Sequence, residues 1–471
     1  MAKEILYLKI ASIIEEQISS ETLKIGDKLP SIRALQKLHD VSLNTIKQSF
    51  LELESKSLIE SRPKSGFYVS NTSNRKLSIP SMNKLKLLED KTTSEDLITK
   101  VFYSLSDKNI TRFSIGVPDQ SLLPIAKLNK GLVKVMRNLE ESGTGYESVQ
   151  GSANLRRNLA KWSIVLEGKL TEDDFVTTSG AMNAIFNCLM AVTKRGDTIA
   201  IESPAYFGII QVAQSLGLNI IELPTHPITG VDLEALKKVI YKVNVCCFMS
   251  NFSNPLGSLM PDESKKELVK LLTHHNIPLI EDDLYGNLFF GTTRPKPCKY
   301  YDEAGIVMWC GSVSKTLAPG YRVGWVAPGK FKDKIIKQKM AHTVCMPSLY
   351  QEVIADFLEH GRYDHHLRTF RSILYTNSLH FQRTIEDYFP ENTKISQPQG
   401  GSFLWLELDK SIDTAVLYDK AIQQKIGFAP GRIFTQHDQY HNCMRLNFGL
   451  AWNEKVELNL KRLGQLVKNS L

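Results

Sequence analysis

Between Gly180 and Trp309 the chain alternates helical segments with short apolar runs, and this alternation restricts the fold more than any other feature. Gly180–Val192, Phe207–Leu216 and Glu263–His275 carry apolar residues at helical spacing. Thr198–Ile201, Ile220–Leu223, Val245–Met249, Ile277–Ile280 and Val307–Trp309 are short extended runs between turn residues. Parallel strands need a crossover connection, usually a helix, so the order predicts an α/β unit with a largely parallel sheet. The large part is expected at about 145–340. Beyond it, residues 341–471 show longer helical patterns with extended runs at Gly401–Leu408 and Met444–Phe448, which reads as a smaller α+β part. A chain of 471 residues can bury such a body and carry a further domain.

Residues 1–70 have a different rhythm: helix, helix, helix, hairpin. Leu6, Ile10, Ile13, Ile14 and Ile18 fall at helical spacing, Ser31 and Ser42 are placed to cap two further helices, and Ile46, Phe50 and Leu53 face inward. Ile59 to Val69 reads as two strands around Pro63-Lys64-Ser65-Gly66. Residues 71–108 lose this regularity and are expected to be a linker, with some helix around Leu85–Leu88 and Leu97–Val101. The body of the chain is then expected to span 109–471.

The net charge of +8 permits an acidic partner without demanding one. Residues 1–70 hold ten Lys/Arg against nine Asp/Glu, so a nucleic-acid reading rests on pattern. Seven scattered cysteines, with no Cys-x-x-Cys, suggest reduced thiols in a cytoplasmic protein, and the Cys246-Cys247 pair is expected to be packing. Met1-Ala2-Lys3-Glu4 leads into an amphipathic helix and no apolar run approaches a membrane span, so neither a leader peptide nor a membrane partner is expected. His274-His275 and His365-His366 have no metal-ligand companions at useful spacing, and solvated or capping roles are expected for them.

The run Gly311-Ser312-Val313-Ser314-Lys315-Thr316, with Arg322 seven positions after the lysine, has what a pyridoxal phosphate (PLP) site needs. The Lys315 amine can capture the cofactor aldehyde, and the hydroxyls and guanidinium can hold its phosphate. Ile280-Glu281-Asp282-Asp283-Leu284-Tyr285 ends an apolar run, which puts carboxylates at the C-terminal edge of a parallel strand, where ligands bind in open α/β sheets. Taken alone, an acidic pair there reads as a helix cap, and Asp283 keeps that reading.

Leu29-Pro30-Ser31-Ile32-Arg33, Val41-Ser42-Leu43-Asn44-Thr45-Ile46 and Arg62-Pro63-Lys64-Ser65-Gly66-Phe67 resemble the winged helix-turn-helix of the GntR regulators. The resemblance implies a double-stranded operator as partner. The third helix would enter the major groove with Ser42, Asn44 and Thr45 foremost and Lys47 on the same side; Arg33 would meet backbone phosphate, Arg62 is a further DNA-binding candidate, and Lys64 and Gly66 would form the wing tip. Leu43 stands where the family usually carries arginine, and Ser57 replaces a usual glycine. A small helical domain used only for packing or dimerisation is the competing reading.

Residues from about 109 onward resemble the fold-type I aminotransferases, and the whole chain resembles the MocR-type regulators, which join the two units. This implies PLP on Lys315 and a homodimer, with heads exchanged between subunits in a swapped form. Asp282 would pair with the pyridine nitrogen, while Tyr285 and Asn254 would donate to the ring oxygen. Tyr206 would stack on the ring. Ala181 and Met182, opening a helix after Thr178-Ser179-Gly180, would offer backbone amides to the phosphate together with Ser312, Ser314 and Arg322. The family often has glutamine at the position of Met182. Tyr146 matches a tyrosine that reaches the phosphate across the dimer interface. Arg445 matches the arginine that grips an α-carboxylate, and Gly116 would let backbone approach the ligand.

The expected function is a PLP-dependent transcriptional regulator that senses an amino acid, an amine or PLP itself. An active aminotransferase carrying an accessory head is the alternative, because nothing in residues 109–471 forbids turnover. A regulator whose body no longer holds PLP is a third reading.

Overall fold

The computed structural model describes residues 6–20, 22–24, 26–56, 58–62, 65–70, 77–83, 95–103, 107, 109–164 and 169–471. Three helices, Leu6–Ser19, Ile32–His39 and Leu43–Ser55, precede an antiparallel hairpin of Ile59–Arg62 and Gly66–Val69. Both later helices start where the serines dictate. The hydroxyl of Ser31 accepts the Ala34 amide at 3.2 Å, and that of Ser42 accepts the Thr45 amide at 3.1 Å. Ile46, Phe50 and Leu53 are buried against Ile10, Ile14, Leu29 and Leu35. Leu6 and Ile13, expected inward, are exposed. The buried stripe runs through Ile10, Ala11 and Ile14, and Ile13 lies about 60° around the helix from Ile10, outside it. Ser57 and Lys64 lie outside the described residues.

The body is built on an eight-stranded sheet. In space its strands run Val176–Thr178, Gly324–Ala327, Val307–Ser312, Leu279–Asp282, Val245–Phe248, Thr198–Ser203, Asn219–His226 and Gly230–Val231. The central pairs from Val307–Ser312 to Asn219–His226 are parallel; Gly324–Ala327 runs antiparallel to both its neighbours. Helices cover both faces, so successive strand residues enter different cores. Ile199 and Ile201 pack into one, and Ala200 into the other. The vicinal thiols follow this alternation, Cys247 to one side and Cys246 to the other, and burial pushes both thiols up. All seven cysteines are free.

A second, antiparallel sheet has the order Lys394–Ile395, Phe403–Glu407, Cys443–Asn447, Ala429–Pro430. Thr111–Arg112 pairs in parallel with Ile426–Gly427, so the start of the body is stitched to its end. The stretch expected to be a linker is docked in its described parts. The Ile395 amide bonds the Ser78 carbonyl, and the Ser81 amide bonds Glu407 at 2.6 Å. Glu95–Tyr103 is a helix whose Ile98 packs with Trp405, Ile433 and Phe434. The helix expected around Leu85–Leu88 lies outside the described residues.

One long helix, Arg362–Tyr388, runs from the loop around Thr316 to the head. No described helix is long and apolar enough to cross a membrane. Among the described residues no His/Cys/Asp/Glu group could hold a metal.

Asp283 caps no helix. Its buried carboxylate takes the Arg294 guanidinium, the Trp309 indole N–H at 2.8 Å and the Asn251 amide at 2.9 Å. Removing one member of a buried pair strands the other charge, so Asp283→Ala should lower unfolding free energy by about 3–5 kcal/mol. Asp283→Asn should cost less. Urea melts of the two variants check the order, and equal melts would refute it.

Candidate functional site

Parallel strands release the chain at one edge, and the functional side chains gather there. Asp282 is the last residue of Leu279–Asp282 and 2 % exposed. Its Oδ1 is buried without a hydrogen-bond partner among the described residues. Burial, and then the charge of Asp283, push its carboxyl up to about 7. A buried carboxylate oxygen left open in this way fits the protonated ring nitrogen of PLP.

Lys315 follows the next strand, Val307–Ser312, and is half-buried at the cleft. Burial pulls its ammonium down to about 8; Arg445 and Arg322 push the same way and Asp282 opposes. The shift makes the neutral amine, the form a nucleophile needs, far more populated near physiological pH than in a free lysine, although the ammonium still predominates there. Its loop is braced from behind. The Thr316 hydroxyl lies 2.8 Å from the Tyr363 hydroxyl, and the Thr316 carbonyl lies 2.7 Å from Nε2 of His366. His366, expected to be solvated or capping, is instead buried in the long helix, and burial lowers its pKa.

Val176–Thr178 leads through Gly180 into the helix Ala181–Val192, so the free amides of Ala181 and Met182 open onto the same edge. Gly180 has φ +82°, and a Cβ there would stand 2.3 Å from the Arg322 guanidinium. Arg322 donates to the Ser179 carbonyl at 3.0 Å and the Ser314 hydroxyl at 3.2 Å. Together these form a donor-rich cradle for a phosphate. Ser312 is turned inward: its hydroxyl donates to the Val323 carbonyl and accepts the Ser314 amide at 3.0 Å, so it shapes the loop beneath.

Arg445, mid-strand in Cys443–Asn447, is 2 % exposed. It donates to Asn254 Oδ1 at 2.7 Å and to the Ser114 carbonyl, and its Nε has no partner. Phe403 and Phe434 flank the guanidinium at 4.3 and 5.0 Å. Among the described residues no carboxylate pairs with it, and burial pulls its pKa down to about 10. A buried guanidinium without a counter-ion favours an anionic ligand.

Asn254 spends its oxygen on Arg445, which leaves its amide N–H₂ to donate. Tyr285 is buried with its ring 5.3 Å from Phe403. Tyr206 caps the helix after Thr198–Ser203; burial raises its hydroxyl pKa, and the charges of Arg445, Asp282 and Arg322 reach it. Gly116 stands where a Cβ would meet Phe403 at 2.5 Å and the Tyr285 hydroxyl at 3.2 Å. Tyr146 is 91 % exposed within its own chain.

Several contributors escaped the sequence reading. Glu202 lies close enough for the Asp282 charge to act on it, is pushed up to about 8 chiefly by burial, and has an unpartnered Oε1. Phe403 and Phe434 flank Arg445, and Tyr363 and His366 brace the lysine loop. No local motif marks these four, because they come from distant segments. Glu202 ends an apolar run just as Asp282 does, and that signal could have found it.

In the head, Arg33, Ser42, Asn44 and Lys47 are exposed and Thr45 is half-buried. The Ser42 and Thr45 hydroxyls lie 2.8 Å apart and hold each other at the helix start. Arg62 and Gly66 face each other at the hairpin end, with Gly66 at φ +111°.

Residues 108–461 match the family described as "Aminotransferase class I and II", and residues 6–69 match "Bacterial regulatory proteins, gntR family". The chain belongs to the aminotransferase class I and II family and, with its gntR head, to the MocR-type regulators; PLP is the cofactor of that fold. It is 34% identical to the HTH-type transcriptional regulator YjiR of Escherichia coli (strain K12), over 99% of both chains. It is 33% identical to YdcR of the same organism, again over 99% of both. Among solved structures it is similar to the multiple substrate aminotransferase of Thermococcus profundus. There the TM-score is 0.73 at 25% identity, over 80% of this chain and 96% of that one.

Gly180→Ala should weaken PLP binding about tenfold or more, because the new methyl displaces Arg322 from a charge-assisted bond. Titration of the apoprotein by absorbance checks this; an unchanged affinity would remove Arg322 from the cradle. PLP capture by wild-type apoprotein should accelerate as pH rises through about 8, because the protonated Lys315 amine cannot attack. Arg445 helps pull that pKa down, so Arg445→Gln should move the inflection to higher pH. Stopped-flow traces from pH 6.5 to 9.5 would show either shift or its absence.

Proposed function

We propose that this chain is a PLP-dependent transcriptional regulator whose winged head binds duplex DNA and whose body senses an amino acid or amine. The observation that carries the reading is the set of open groups in one cleft. Asp282 has an unpartnered oxygen, Lys315 an amine whose pKa burial pulls down to about 8, and Arg445 no counter-ion, and the chain holding them carries a winged helix. When bound, PLP supplies an aldehyde that captures amines and a ring that draws electrons from the captured carbon.

The chain's own residues do the rest. Ala181, Met182, Ser314 and Arg322 would hold the phosphate, with Ser312 supporting Ser314. Asp282 would hold the proton on the ring nitrogen, and Asn254 and Tyr285 would donate to the ring oxygen. Tyr206 would cover the ring. Arg445 would take a carboxylate bidentately, with Gly116 leaving the space that approach needs. An amine effector would displace Lys315, and the freed amine could then take up a proton.

Ile125, Val133, Met136, Tyr146 and Val344 are apolar or aromatic and exposed, which supports a dimer that covers them. Tyr146 would then reach its partner's cleft. Residues 77–83 are docked on the body, and an exchange of heads would carry the head–body contacts between chains. The domain limits that follow are 1–70 for the head and 109–471 for the body, with 71–108 joining them.

Asn44 and Lys47 are the exposed pair best placed for base and phosphate contact, with Arg33, Arg62 and Gly66 flanking, Lys64 a further proposed contact, and Ser42 and Thr45 fixing the helix start. Asn44→Ala should cost about 1–3 kcal/mol on the preferred sequence and little on random duplex. Lys47→Ala should weaken both equally and lower the salt slope by about one. Anisotropy titrations at several salt concentrations separate the two effects. Lys315→Ala should lose the visible absorbance of the PLP-loaded protein. Rapid multiple turnover with amino and keto acids, without sequence-selective DNA binding, would instead make the chain an aminotransferase.

A further inference from the structure

We propose that the long helix Arg362–Tyr388 masks the DNA-reading face of the head, so that duplex binds only after this contact opens. The inference rests on the head being a duplex reader and concerns how that reader is held. On the third helix Ile46, Ser49, Phe50 and Leu53 turn into the head's core. Helical geometry then puts Asn44, Gln48, Leu51 and Glu52 on the opposite side, the side a major groove would receive.

The body touches the C-terminal part of that helix and faces the N-terminal part, where Asn44 stays exposed, across a cleft. The Tyr375 hydroxyl donates to the Glu52 carboxylate, and the Tyr375 ring lies 6.0 Å from that of Tyr7. Arg383 pairs with Glu54 at 3.4 Å. Ser42, Asn44, Thr45 and Gln48 line one wall of a cleft of about 430 Å³, and Phe290 and Arg371 stand on the other. A second cleft, of about 470 Å³, lies between Leu51 and Glu54 of the head and His380 and Arg383 of the body. Volumes like these suit a small molecule. A recognition helix needs open access to a groove about 12 Å wide.

The charges agree with masking. Glu52 and Glu54 would repel phosphate along a reading helix, whereas a tyrosine hydroxyl and an arginine complement them here. The masking helix also touches the cofactor loop, through Tyr363 and His366 on Thr316. Its 27 residues span about 40 Å, so one rigid element contacts both the Lys315 loop and the head.

The test uses the full chain and a fluorescein-labelled random duplex at fixed salt. Arg383→Glu and Tyr375→Phe leave the head's sequence untouched. Each should bind duplex tighter, by about threefold or more for Arg383→Glu, as loss of the docked pair shifts the population towards open heads. Masking fixes the sign, because added negative charge on the body would by itself weaken DNA binding. Unchanged or weaker binding by both variants would overturn the proposal. Hydroxyl-radical labelling of wild-type Tyr7 and Tyr375 gives an independent readout: it should rise when duplex is added, and labelling that stays constant with duplex bound would equally overturn masking. If neither the wild type nor the variants retain duplex at low salt, the reading of the head fails, and this inference with it.

Discussion

The structure depends on one topological constraint: parallel strands must all end at the same edge of their sheet. Leu279–Asp282, Val307–Ser312, Val245–Phe248 and Thr198–Ser203 each release the chain there. Asp282, Lys315, Asn254 and Tyr206 therefore converge although they are far apart in sequence. Two cores clamp the sheet from either face, so the strand ends are stiff. Stiffness is what lets Asp282 stay buried with an oxygen unpaired, since a yielding wall would relax around it or admit water.

The electrostatics follow from that rigidity. Lys315 sits between two arginines that lower its pKa and one aspartate that raises it, and burial tips the balance towards the neutral amine. Asp282 is driven the other way by burial and by Asp283. Asp283 itself belongs to a structural network with Arg294, Trp309 and Asn251, so adjacent carboxylates divide the labour: one faces the cleft and the other anchors the wall.

The head is held by a different kind of contact. Its core is a cluster of its own, built from Ile46, Phe50 and Leu53 on Ile10 and Ile14. It meets the body through a few polar and aromatic groups, Tyr7, Glu52 and Glu54 against Tyr375 and Arg383. Contacts of this size are worth little each, so the arrangement suits a head that must leave and return.

The amino-acid order alone determined the strand–helix alternation, the capped helices of the head, and the lysine, aspartate and arginine to which we assign the cofactor chemistry. Each of these is written in spacing or in a local run, because periodicity and capping act within a few residues. Tertiary structure alone decided that Ser312 turns inward, that His366 is buried against the lysine loop and that Asp283 pairs with Arg294. It also decided that the linker's described parts lie docked and that Phe403 and Phe434 flank Arg445. These outcomes join segments far apart in the chain. No local pattern can specify them, because burial and pairing depend on which surfaces the closed fold brings together.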